Sequence, residues 1–348
     1  MKAINIRNII KNIKAVVDNH ALNTPGEYAR YLWQNERGDR KMGSNEYGCA
    51  DAMNILYTIN DFYCDAETRA ARIRALQAFQ DKESGMFHED THHTIHTTAH
   101  CTAALQLFDV KPLYPLTYLH KYMTREALHE FLDNEVDWNN PWPQSHKGAG
   151  IYAALVNADE MTPEFQRDYF DWFLANADEK TGFWKKGYAE RAPISNQRYP
   201  NGKNEPDSIF AFMAGGFHYM FNHEYAKMPL LYPDKVIDTC IEMYEKGALP
   251  TNFGRQAGFI EIDWVYCINR ASRQSTHRRD EVVALLEDFA VKFADFFNNV
   301  DWEHNDSVND LHMLFGSACC FAELQAALPG KIITDKPLRL VLDRRPFI

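Results

Sequence analysis

Tyr47 to Phe62 reads YGCADAMNILYTINDF, and five later stretches are built on the same plan. They are HTTAHCTAALQLFD from His96, KGAGIYAALVNAD from Lys147, DSIFAFMAGGFHYMF from Asp207, DWVYCINRASRQ from Asp263 and NDLHMLFGSACCFAELQAAL from Asn309. Each is long enough for a helix, rich in Ala, Gly, Cys and aromatic residues, and preceded by a polar loop. A helix that is apolar on every side has to be covered on every side, and small side chains let its neighbours come close. Between these stretches lie charged, amphipathic segments with one face for water: Glu67 to Gln80, Leu116 to Asn134, Thr162 to Ala177, Asp234 to Gly247 and Asp280 to Asn298. Thr162-Pro163 and Tyr232-Pro233-Asp234 supply helix starts.

Two kinds of helix in alternation predict an all-α chain folded as an (α/α)6 toroid, six inner helices wrapped by six outer ones. Residues 1–348 then form a single domain, with an amphipathic helix over residues 1–20 and an extended C-terminal tail over residues 331–348. An open superhelix of helix pairs fits less well. Repeat length and composition drift, the inner stretches are too apolar to line a wet concave face, and no end looks like a cap. No convincing run of paired strands is present.

Composition narrows the function classes. The 348 residues carry 48 acidic and 37 basic side chains, a net charge of −11, which disfavours an extended interface with nucleic acid or an anionic membrane. An aromatic content of 13% separates the chain from disordered acidic sequences. No apolar window is long enough to span a bilayer. Met1 to His20 has helical rather than continuous apolar spacing, unlike a signal peptide. The seven cysteines are an odd, scattered set lying mostly in apolar runs, as expected of buried thiols in a reducing compartment. The expected location is cytoplasmic.

Two loops, QDKESGMF (Gln80 to Phe87) and ADEKTGFW (Ala177 to Trp184), each follow an outer segment and precede an inner one. They resemble the Gln-Asp-x-x-Thr-Gly-x-aromatic turn of the six-hairpin glycosidases, such as the unsaturated glucuronyl and rhamnogalacturonyl hydrolases. A related turn marks the toroids of squalene cyclases and protein prenyltransferases. The resemblance implies a toroid and, beyond it, a carbohydrate-active enzyme; it speaks to the fold more than to the reaction.

In such a ring the leading ends of the inner helices share one mouth, where their dipoles favour carboxylates and anionic groups. The residues delivered there are Tyr47 and Asp51; His92, His93, His96 and His100; Trp142 and His146; Asp207; Asp263 with Trp264; and Asp310 with His312. Asp207, Asp263 and Asp310 also stand where helix caps belong. FHEDTHHTIHTTAHC (Phe87 to Cys101) holds five of the fourteen histidines, with His92, His96 and His100 four apart. That spacing suits zinc, but the Glu of the helical zinc-protease pattern is missing and there is no Cys-x-x-Cys. Protein prenyltransferases hold zinc with an Asp and a Cys on one inner helix and a His on the next. Asp263, Cys267 and His312 resemble that set, yet here Cys follows Asp by four residues instead of two. The expectation is therefore a site without metal or cofactor.

The leading expectation is a glycoside hydrolase acting on a small carbohydrate, with Asp263 and Asp51 as the acid/base pair and His96 and His100 in support. Tyr47, His93, Trp142, His146, Asp207, Trp264, Asp310 and His312 would bind the sugar, Trp142 by stacking. If imidazoles carry the proton, sugar epimerisation or β-elimination by a polysaccharide lyase describes the site better. A terpenoid cyclase or prenyltransferase-like enzyme and a non-catalytic binding toroid are the other classes. His218 and His223 read as structural, and Arg270, Arg273, Arg278 and Arg279 as a solvated run paired with Asp280 and Glu281. The tail is expected either to cross its own ring or to dock on a second copy in a homo-oligomer.

Overall fold

The computed structural model describes residues 2–184, 209–251 and 253–348. The described chain is all-α apart from one two-stranded pairing. In order it runs β1 (Ile4–Asn5), α1 (Arg7–Asn19), α2 (Glu46–Thr58), α3 (Ala66–Ala78), α4 (Thr94–Gln106), α5 (Arg125–Glu130), α6 (Pro141–Ala158) and α7 (Pro163–Ala175). It continues with α8 (Ile209–Ala226), α9 (Pro233–Glu245), α10 (Phe259–Gln274), α11 (Arg279–Asn299), α12 (Asp306–Asn309), α13 (Leu311–Ala327), β2 (Ile332–Ile333) and α14 (Val341–Arg344). No described helix is long and apolar enough to cross a membrane. All seven cysteines are free, and only Cys64 is exposed.

The alternation read from sequence is present in the burial. Helices α2, α4, α6, α8, α10 and α13 are buried over most of their length. Helices α1, α3, α7, α9 and α11 each bury one face; on α1 it is Ile9, Ile13, Val16 and Val17. The buried helices pack in cyclic order: α2 on α4, α4 on α6, α6 on α8, α8 on α10, α10 on α13, and α13 back on α2.

Local chemistry explains the boundaries. Asn45 caps α2, its side chain accepting from Tyr47 N at 2.8 Å and Gly48 N at 3.2 Å. Thr162 caps α7, with Pro163 in the first turn as anticipated. Leu116 to Asn134 is not the single helix expected. It breaks into a 3₁₀ segment (Thr117–Tyr122), α5 and a π turn (Phe131–Glu135), because the Thr124 hydroxyl accepts from Ala127 N at 3.3 Å and restarts the helix.

The end of the chain is tied to its beginning: β2 pairs in parallel with β1, Ile4 facing Ile332. After β2 the tail is extended only in part. Helix α14 folds back on α2 and α8, and Arg345, Phe347 and Ile348 are buried. The tail thus lies on its own chain.

The two glycine turns have a common geometry. Asp81 N donates to Met86 O (2.8 Å) and Asp178 N to Phe183 O (2.8 Å), while each aspartate carboxylate accepts from the backbone N–H three residues on, Ser84 and Thr181. Gln80 adds a clamp, donating to Gly85 O and Tyr114 O and accepting from Leu113 N and Tyr114 N. Gly85 (φ +74°) lies so close to Pro115 that a Cβ would stand 1.9 Å from its carbonyl oxygen; Gly247 (φ +63°) has nothing within 4 Å. Gly85→Ala is expected to lower stability by ~3 kcal/mol or more, from the left-handed backbone and the clash together. Gly247→Ala, which meets only the backbone penalty, should lower it by about 1–2 kcal/mol. Urea unfolding of the two variants measures the difference, and equal losses would contradict the packing described for Gly85.

Candidate functional site

The leading turns of α2, α4, α6, α10 and α13 converge on a cluster of rings. Tyr47 lies within it, stacked on His92 (centroids 4.5 Å apart) and His100 (4.8 Å), with the edge of His312 at 4.7 Å. His92 stacks on His96 (4.7 Å), His96 meets His146 (4.4 Å), and His146 meets His218 (4.8 Å) on α8. Phe259, the first residue of α10, closes over His312 at 4.4 Å. Phe347 from the tail lies against His96 (4.9 Å), and Tyr47 Oη shares a hydrogen bond with His96 Nδ1.

Two polar sets hold the cluster. In the first, Asp51 accepts from His100 Nε2 at 2.7 Å and from His312 Nδ1 at 3.2 Å. Asp51 and His100 are fully buried and His312 is 6% exposed, so the carboxylate lies behind its imidazoles. In the second, Arg30 donates to both oxygens of Asp310 (2.8 and 3.0 Å) and to Thr91 Oγ1 (2.8 Å), with Glu89 4.0 Å away. The guanidinium also lies 5.0 Å from the centre of the Tyr47 ring.

Burial sets the charge states. It would raise the Asp51 carboxyl, but the imidazoles of His312 and His100 outweigh it and hold the group well below the usual carboxylate range. Burial lowers His312 to about 4 despite Asp51, and lowers His218 to about 3. His96 and His146 are pushed well below 6.5 by burial and by neighbouring imidazoles. At neutral pH His96, His146, His218 and His312 are thus held neutral, and the lone pairs of neutral imidazoles can take a proton or a metal ion.

The structure brings Tyr47, Asp51, His96, His100, His146 and His312 together. Other expected site residues lie elsewhere or do other work. His93 caps α4, its Nδ1 accepting from Ile95 N at 3.2 Å. Asp310 caps α13 and is taken up by Arg30. Trp142 is half-buried and edge-on to Phe210 (5.4 Å). Trp264 is not at the mouth: it is fully buried, donates to Cys240 O at 2.9 Å and stacks on Tyr244. Asp207 lies outside the described residues. Asp263 is fully buried with neither oxygen hydrogen-bonded, near the Cys267 and Cys320 thiols of α10 and α13, and is not among the groups that meet Asp51. Burial, together with Glu261, pushes its carboxyl well above the ordinary range.

Three members of the site lie outside the sequence reading. Arg30 and Glu89 sit in loops before α2 and α4, where no repeat flags them. His218, read as structural, is held through Nδ1 by Ala214 O and Ser145 Oγ and also faces His146. Arg270 is also not part of a solvated run: it is buried and paired with Glu323, Asp343 and Glu224. Arg278 does pair with Glu281 as expected, and also with Asp238.

Among the described residues two sets could hold a metal ion, His96 with His146 and His218, and Asp51 with His100 and His312; within each, one ligand atom per residue lies within 4.8 Å of the others. No protein-family model matches the chain, and no curated protein or solved structure matches it either.

The wall beside the cluster makes a pH prediction. Glu261 accepts from Gly258 N at 2.6 Å, and burial raises its carboxyl from 4.5 to about 8. Between those values the folded state holds a proton that the unfolded chain has lost, so this group's contribution to stability falls as pH rises through that window. Glu261→Gln, which keeps an acceptor for Gly258, should melt several degrees above the parent at pH 8 and close to it at pH 5. A melting-temperature gap that does not grow with pH would contradict a buried neutral Glu261.

Proposed function

We propose that the cyclic packing of α2, α4, α6, α8, α10 and α13 inside half-exposed helices is an (α/α)6 toroid. We further propose that its mouth is the active centre of a carbohydrate-active enzyme working by imidazole proton transfer. The cyclic contacts and the two glycine turns support the toroid, and the toroid in turn supports a sugar-sized substrate. The reaction class rests on one observation, the position of Asp51. It is an ionised carboxylate with no exposure, and it fixes His312 through Nδ1. A carboxylate behind a ring cannot attack a sugar, but it can orient that ring so that Nε2 carries the lone pair. Two-carboxylate hydrolysis through Asp51 and Asp263 is the less favoured reading, because Asp51 is fully buried and engaged by His100 and His312.

In this reading His312 Nε2 takes a proton from the carbon beside a carbonyl or carboxylate of the sugar. The C–H electron pair moves onto the carbonyl oxygen, where converging helix N-termini favour the enolate charge. Epimerisation is completed when His92, on taking up a proton from solvent, passes it to the opposite face of the carbon while His312 returns its own proton to solvent. Loss of a β-substituent completes an elimination instead.

The test is NMR in D2O with a panel of aldoses, ketoses and uronic acids. Solvent deuterium should enter next to the carbonyl or carboxylate of one of them. His312→Gln should slow exchange ~100-fold or more, and Asp51→Asn should slow it by a comparable factor. Glycoside hydrolysis that survives His312→Gln and disappears in Asp263→Asn would restore the two-carboxylate hydrolase.

A further inference from the structure

Three successive buried helices, α4, α6 and α8, each direct one imidazole to a common point: His96, His146 and His218. One nitrogen from each lies within 4.8 Å of the other two. No hydrogen bond links the three rings, so none accounts for three ring nitrogens gathered this closely. The partners on their far sides are of the kind that metal-binding histidines need. His218 Nδ1 donates to Ala214 O at 3.1 Å, which leaves Nε2 as the bare nitrogen. His96 Nδ1 is engaged with the Tyr47 hydroxyl, which again leaves Nε2 open. Both are the outer contacts that fix ring orientation and tautomer around a bound ion. His146 has no hydrogen-bond partner among the described residues and is less buried than the other two.

The second set is a poorer candidate. Asp51 already satisfies His100 Nε2 and His312 Nδ1 by direct hydrogen bonds. The remaining nitrogen of His100, Nδ1, is buried with no partner, so a metal on Nε2 would leave its far N–H unsatisfied.

We infer that His96, His146 and His218 bind one divalent transition-metal ion, Zn2+ foremost, through three imidazole nitrogens, with a fourth position open toward the mouth. Neutral nitrogen donors suit zinc and its neighbours better than calcium or magnesium. Zn–N bonds of about 2.0–2.1 Å place tetrahedral ligand atoms about 3.3 Å apart. Loading therefore requires the rings to close in, and His146, held by no hydrogen bond among the described residues, is the ring least constrained to turn. In the loaded state His96 Nδ1–H donates to the Tyr47 oxygen. Three protein ligands and one open position are the arrangement of a catalytic rather than a structural zinc site. The inference is independent of the proton-transfer reading above, because its readout is binding alone.

The experiment uses the full chain after dialysis against a chelator, titrated with ZnCl2 by calorimetry and with CoCl2 by visible absorption at neutral pH. Expected are one equivalent of Zn2+ with micromolar or tighter affinity and the intense visible bands of four-coordinate Co2+. Zn2+ should also raise the melting temperature. His146→Ala, at the least buried of the three positions, should weaken Zn2+ binding 100-fold or more, and His218→Ala should do the same. His223→Ala on the same helix, whose ring donates to Tyr219 O, should leave it unchanged. Folded protein that takes up no Zn2+ would overturn the site. So would affinity lost in His100→Ala or His312→Ala but kept in His146→Ala.

Discussion

Close approach between buried helices is the constraint on which the structure rests. Gly150 of α6 lies against Ile95 of α4, where an added Cβ would come within 3.2 Å of its carbonyl, and Gly316 of α13 meets the backbone at Gly258 equally tightly. Gly215 of α8 stands against Pro141 at the head of α6. Larger residues at these points would hold the helices apart. Only because the axes come so near can ring side chains from their leading turns touch, Tyr47 to His92 and His96 to His146. The contacts that shape the cluster follow from side chains that are absent.

Close packing leaves the polar groups inside it with little water, and most of the buried charges have a charged or hydrogen-bonding partner; Arg345 has only the Asn54 amide oxygen. Asp51 keeps its charge through two imidazoles, Asp310 through Arg30, and Arg270 through Glu323, Asp343 and Glu224. Asp263 and Glu261 have no such counter-charge among the described residues and are held neutral by burial. Carboxyl groups on neighbouring turns of the same wall therefore differ in state according to whether a cationic or imidazole partner reaches them.

Much of this was legible in the sequence. The six small-residue stretches mark the buried helices because composition alone demands cover on all sides, and Thr162-Pro163 marks a start that the backbone obeys. The convergence of Tyr47, Asp51, His96, His100, His146 and His312 follows once the leading ends share one side. What sequence could not show is rotation about each helix axis. Trp264 and Asp263 stand one residue apart at the head of α10, and neither reaches the rings; Phe259, four residues before Asp263, does. His218 is set in an uninterrupted apolar run, which looks the same whether its ring meets a methionine or another imidazole. The break at Thr124 is a hydroxyl bonding to one amide, a signal too local for periodicity to carry.

Phe347 presses on His96 from below, and Arg345 beside it bonds to Asn54 of α2. The floor of the ring cluster is thus supplied by residues more than two hundred positions beyond the histidines they support, and β1 has to wait for β2 before it has a partner. Contacts of such long range form late and slowly. During synthesis the helices emerge one by one without a base, so a nascent chain can hold most of its helices and still lack the floor of the ring cluster until Arg345 and Phe347 dock.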